Sequence, residues 1–126
     1  MPTAITPSRV SSRAYKENNR VFRGILTGTG AINHTVTPGY PFKIAKLELH
    51  LNAAPTTSQD FVVSIDAGDG SAYDIVLVKE DLSANSVADF VWTGPDEEFE
   101  ADDVILVTWT NTDGRTYGLR VIYEHT

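Results

Sequence analysis

Lys46, Glu48 and His50 alternate with Leu47, Leu49 and Leu51, the period-two pattern of a strand with one buried and one wet face. Phe42 and Ile44 sit on the opposite parity, so the switch near Ala45 predicts either a bulge or a strand covered on both faces at its start. Phe61, Val63 and Ile65 alternate with Val62, Ser64 and Asp66; Tyr73, Ile75 and Leu77 alternate with Asp74, Val76 and Val78. The turn-forming run Ala67-Gly68-Asp69-Gly70-Ser71 separates these two strands, which predicts a hairpin. Residues 90–92 form a shorter candidate ended by Gly94-Pro95. Residues 104–110 and 116–123 read as a second hairpin around Asn111-Thr112-Asp113-Gly114, where Asp-Gly supplies the positive-φ positions of a tight turn. Weaker strand patterns cover residues 21–26 and 31–36, and Lys79-Glu80-Asp81-Leu82-Ser83 is compatible with a single helical turn. About eight strands at ~8–12-residue spacing predict an all-β fold, a two-sheet antiparallel sandwich of jelly-roll type.

The chain has 126 residues and no cysteine. That length fits one domain with a short appendage and excludes a large multidomain enzyme. Without thiols there are no disulfides, thiolate zinc sites or cysteine nucleophiles, so packing or association must supply stability. No stretch approaches the ~18 apolar residues of a membrane span, and the N-terminus lacks a signal-peptide layout, so synthesis in the cytoplasm is expected.

Charge divides the chain in two. Residues 1–23 carry Arg9, Arg13, Lys16, Arg20 and Arg23 against Glu17 alone, a local charge of +4, while residues 24–126 sum to −11. A basic, Pro/Ser/Thr/Asn-rich leader on an acidic body reads as an extended interaction arm, with Gly24, Gly28 and Gly30 marking the hinge. The expected division is therefore an arm at 1–23 and a sandwich at 24–126. Partner contacts are expected from Arg9, Arg13, Tyr15, Lys16, Arg20, Phe22 and Arg23.

Asp96, Glu97, Glu98, Glu100, Asp102 and Asp103 put six carboxylates within eight residues. They read either as a solvated loop with Phe99 tucked against the core, or as an acceptor patch for the basic arm of a neighbouring copy. The body's negative charge opposes a nucleic-acid role for the arm. His34, His50 and His125 show neither metal-ligand nor triad spacing, so no catalytic residue, metal or cofactor is assigned. Asp66, Asp69 and Asp74 fail the EF-hand spacing and suit a plain turn. Trp92, Trp109, Tyr117 and Tyr123 read mainly as core, with a sugar-stacking platform as the alternative.

Three segments carry a family resemblance: Leu47-x-Leu49-x-Leu51-Asn52-Ala53-Ala54-Pro55-Thr56-Thr57, then Phe61 to Asp66 with Ala72-Tyr73-Asp74, then Asn111-Thr112-Asp113-x-Arg115-Thr116-Tyr117-Gly118-Leu119. Over residues 31–126 the chain resembles small β-sandwich virion proteins of tailed bacteriophages. The resemblance implies a structural part of the virion, a capsid decoration or cement protein on the capsid exterior. Its implied partners are the major capsid protein and further copies of itself, often as trimers, with neither nucleic acid nor membrane. A head-fibre or tail-fibre module that binds a receptor or glycan is the alternative. In the cement reading the arm braces neighbouring subunits, and 23 extended residues reach ~75 Å.

Overall fold

The computed structural model describes residues 20–84 and 86–126. Eight strands run β1 (Val21–Gly28), β2 (Ile32–Val36), β3 (Phe42–Leu51), β4 (Asp60–Asp66), β5 (Ile75–Asp81), β6 (Asp89–Thr93), β7 (Val104–Trp109) and β8 (Tyr117–His125). They form two four-stranded sheets, ordered β1-β8-β3-β6 and β2-β7-β4-β5, and every pairing is antiparallel. This is the jelly-roll order, in which two Greek keys fold over one another. The edge strands are β1 and β6 in the first sheet and β2 and β5 in the second.

The core lies between the sheets; in β3 and β4 it is filled by the predicted inward parity, whereas around β5 the expected set is not the buried one, with Tyr73 and Ile75 exposed and Val78 buried. Leu47, Leu49 and Leu51 from β3, Phe61, Val63 and Ile65 from β4, Ile105 and Val107 from β7, and Leu119 and Val121 from β8 are all buried. Phe42 and Ile44 join them because the β3–β8 register slips between Ile44 and Lys46. Of the two readings offered by the parity switch, the bulge is the one realised. Gly94 fits against it: its N–H donates to the Ala45 carbonyl at 3.0 Å, and a Cβ there would stand 1.8 Å from the Ile44 carbonyl oxygen. Only glycine leaves room for that approach.

Three local expectations change. Residues 104–123 do not form a hairpin, since β7 belongs to one sheet and β8 to the other. The Asn111-Thr112-Asp113-Gly114 segment is an arch across the core, with Asn111 at φ 52° and Gly114 at φ 64°. Lys79, Glu80 and Asp81 extend β5 instead of starting a helical turn, because they pair with Val62, Phe61 and Asp60 of β4. The sandwich also begins earlier than the charge boundary at residue 23: Val21, Phe22 and Arg23 pair with Glu124, Tyr123 and Ile122 in β1. Ladder hydrogen bonds hold these three residues in the body irrespective of the positive charge that Arg23 shares with the leader.

Candidate interaction surfaces

The strand directions sort the connections onto two ends of the sandwich. One end gathers Arg20, the chain terminus, the β2–β3 and β4–β5 connections and the acidic β6–β7 connection. The His125 N–H donates to the Arg20 carbonyl at 2.8 Å, and the Thr126 N–H donates to the Pro41 carbonyl at 3.0 Å. Arg20 returns a bond from Nε to the His125 carbonyl at 3.3 Å. Phe22 stacks on Tyr123 with centroids 5.7 Å apart and lies 5.8 Å from Tyr40. Its ring therefore anchors β1 to the body while remaining 37% exposed. Arg23 is exposed on the outer side of β1. Arg9, Arg13, Tyr15 and Lys16 lie outside the described residues.

The acidic run occupies this same end and divides by task. Phe99 is buried and exchanges backbone hydrogen bonds with Phe42, 3.1 and 2.8 Å. Asp103 is also buried, and its carboxylate accepts from the Gly68 N–H at 3.0 Å and the Glu100 N–H at 2.9 Å. That makes Asp103 a brace between two connections, taken up within its own subunit and not an acceptor for an arm. Asp96 pairs with Lys43 Nζ at 2.9 Å. The hydrogen bond and charge of Lys43 hold the Asp96 carboxyl below its ordinary range, and Asp96, with Glu124 and Glu98 beyond it, raises Lys43 in turn. Glu98 accepts from the Thr126 hydroxyl. Glu97, Glu98, Glu100 and Asp102 are exposed, as is Asp96 beside its Lys43 partner. The described chain thus begins, at Arg20, beside a negative surface on its own subunit.

The opposite end is closed by side-chain clamps drawn from the segments that carry the family resemblance. The Asp113 carboxylate accepts from the Thr56 N–H at 2.7 Å, the Thr57 N–H at 3.0 Å and the Thr57 hydroxyl at 2.5 Å. Asn111 donates through Nδ2 to the carbonyls of Thr29, Gly30 and Arg115, and accepts the Arg115 N–H at 2.9 Å. Asn52 accepts the Thr116 N–H at 3.0 Å. Pro55-Thr56-Thr57 and Asn111-Thr112-Asp113 are therefore two halves of one lock.

Bonds from Thr57 and then Thr56 hold the Asp113 carboxyl far below its ordinary value. A carboxyl depressed in the folded state stabilises the fold fully above its unfolded value of about 4, and this contribution fades as pH falls through the folded value. Asp113→Ala should therefore lower the urea midpoint at pH 7 and lower it less at pH 3. Parallel denaturation curves at the two pH values check this, and an equal loss at both would assign the stabilisation to something other than the ionised carboxylate.

The remaining sequence candidates have structural roles. Trp109 and Tyr117 are buried, and Trp92 and Tyr123 pack partly buried against the core. His34 is half-buried at the β1–β2 seam, where its Nε2 would lie 3.5 Å from a Cβ placed on Gly24. His50 is exposed and its Nδ1 hydrogen-bonds to the Asp89 carboxylate. Asp74 accepts the Ala67 N–H at 2.9 Å and so closes the β4–β5 connection. Among the described residues no group of three or more His, Asp or Glu side chains could hold a metal ion.

One surface that periodicity does not single out is the outer face of the β1-β8-β3-β6 sheet. It carries an open groove of about 700 Å³, walled by Ile25 and Val91 and floored at Gly118. Ile25 is 67% exposed and Val91 61%. Arg120 bridges to Glu48 at 2.7 Å, and Lys46 reaches the same carboxylate at 3.1 Å. The signal for this face is present in the sequence as apolar residues at outward parity, visible only once the inward parity of each strand is known. No family model and no curated protein matches the chain.

Proposed function

We propose that this chain is a structural virion protein of a tailed bacteriophage, a decoration or cement protein that docks on the capsid exterior and braces neighbouring subunits through its basic N-terminal leader. The observation that carries the reading is the charge division: residues 1–23 sum to +4 and residues 24–126 to −11, and the basic segment enters the sandwich at the end where Glu97, Glu98, Glu100 and Asp102 are exposed. Opposite potentials of this kind orient docking and suit many repeated weak contacts better than one deep pocket. The leader would engage the major capsid protein or the acidic end of a sister copy. The jelly-roll body supplies a rigid mount, since its far end is locked by Asp113 and Asn111. No catalytic role or cofactor is proposed.

The fibre-module alternative is weaker, because Trp109 and Tyr117 are buried and Trp92 and Tyr123 pack partly buried against the core, which leaves less aromatic surface for a sugar than the sequence alone suggests. A glycan array on the folded protein tests it directly.

Removal of residues 1–19 separates leader from body cleanly, whereas removal through residue 23 would strip three pairs from β1. The shortened protein should retain a cooperative thermal transition and lose at least about ten-fold in affinity for purified capsids in co-sedimentation, a loss of about 1.4 kcal/mol or more in binding. Full occupancy by the shortened protein would overturn the leader's assignment.

A further inference from the structure

We propose that the outer face of the β1-β8-β3-β6 sheet pairs with the same face of a second copy, about a two-fold axis that runs parallel to the strands between β8 and β3. The inference rests on the register of this sheet and is independent of the leader. Strand pairing lines up three outward rungs: Arg23, Ile122, Lys46, Thr93; then Ile25, Arg120, Glu48, Val91; then Thr27, Gly118, His50, Asp89. A two-fold axis of this orientation lays β1 of one copy over β6 of the other and β8 over β3, each rung upon itself.

Under that operation the middle and third rungs are complementary to themselves, and the first brings no like charges together. In the middle rung Ile25 meets Val91 and Arg120 meets Glu48, so apolar faces apolar and cation faces anion at the centre. These two apolar side chains are among the most exposed in the described body. In the next rung the His50 imidazole, which stands out from β3, faces Gly118. A Cβ at Gly118 would meet nothing within 4 Å, so this position is a hollow that receives the ring. Thr27 faces Asp89, and in the first rung Arg23 faces Thr93 while Ile122 faces Lys46. No rung opposes like charges. An isologous interface requires this kind of self-matching, with residue i against j and j against i.

Face-to-face sheets pack about 10 Å apart with strands aligned within about 30°, a spacing that side chains of these lengths fill from both sides. Four strands of this length cover roughly 500 Å² in projection, near the lower end of what a specific interface needs. The dimer is accordingly concentration-dependent. Its two-fold symmetry replaces the three-fold association that the family resemblance implies.

Light scattering on the full chain should give twice the 13.8 kDa chain mass at about 100 μM and fall toward one chain on dilution to about 1 μM. Glu48→Arg and Arg120→Glu should each abolish the two-chain species, because each places like charges across the axis. An equimolar mixture of the two variants should restore it, since the arginine introduced at position 48 of one chain then faces the glutamate introduced at position 120 of the other. A Cβ at Gly118 meets nothing of its own subunit within 4 Å, so Gly118→Leu fills the hollow and should give a folded single chain with a melting temperature close to the parent's. A one-chain or three-chain mass throughout, a charge variant that still pairs with itself, a mixture that stays monomeric, or a Gly118→Leu protein that dimerises as before would each overturn the proposal. None of these results bears on capsid binding by the leader, which the co-sedimentation experiment tests separately.

Discussion

Phe42→Ala should cost about 3–5 kcal/mol of folding stability and lower the melting temperature by roughly 15–20 °C. Phe42 is fully buried where β3 enters the core, with its ring 5.5 Å from Phe99 and 6.4 Å from Tyr123 between centroids. Deleting the ring leaves a cavity that neither neighbour can fill, since each sits on a different segment and the Phe42–Phe99 backbone bridge fixes their spacing. The loss reaches the acidic connection as well, because buried Phe99 holds the exposed acids on either side of it. In the alanine variant this connection should show faster amide exchange than the opposite end. Phe42→Leu keeps most of the volume and should lose no more than about 1.5 kcal/mol. A loss below about 1 kcal/mol for Phe42→Ala would contradict the placement of this ring in the core.

Asn111→Ala should cost about 3 kcal/mol, from two separable causes. Asn111 is 4% exposed and its side chain makes four hydrogen bonds to backbone groups of two connections. Alanine leaves the Arg115 N–H and three carbonyls without this partner, and it must also hold a φ of 52°, which asparagine tolerates better than residues with no local hydrogen bond. Asn111→Gly removes the backbone cost and keeps the hydrogen-bond cost, so it should be about 1 kcal/mol more stable than the alanine variant. Urea denaturation of the three proteins reads both parts. A glycine variant as stable as the parent would mean that the clamp contributes nothing.

What the sequence makes legible follows from the range of the forces involved. Burial parity is local, so alternation in β3 and β4 places Leu47, Leu49, Phe61 and Val63 in the core without knowledge of the fold, whereas the unbroken apolar run Val104-Ile105-Leu106-Val107 of β7 leaves its inward parity unread. The bulge at Ala45 is legible for the same reason. Sheet membership is not local. Asp113-Gly114 carries the same turn chemistry whether the chain doubles back to a neighbour or crosses the core, and the choice is made by competition among β2, β4, β1 and β3 for the edges of β7 and β8. Asn111 at positive φ serves an arch as well as a hairpin.

The same distinction explains the candidate surfaces. Charge runs are visible in sequence, so the acidic segment and the basic leader stand out at once. What each carboxylate does depends on distant groups: Asp103 is taken up by Gly68, Asp96 by Lys43 and Glu98 by Thr126. The charge boundary at residue 23 also differs from the strand boundary at Val21, because a ladder pairs backbone and is indifferent to the sign of the side chains. The outer-face groove assembles residues from four strands, and no window of sequence contains its pattern.

In the proposed role a rigid negative body is held on a larger assembly by its positive leader. A density map of the intact particle, at a resolution that traces strands, puts that role to the test without an intermediate assay. The expected map shows an eight-stranded sandwich on the capsid exterior, with density from the residues before Arg20 lying on the major capsid protein or on a sister copy. A leader that lies only on its own subunit, or a particle that lacks this sandwich, would contradict it.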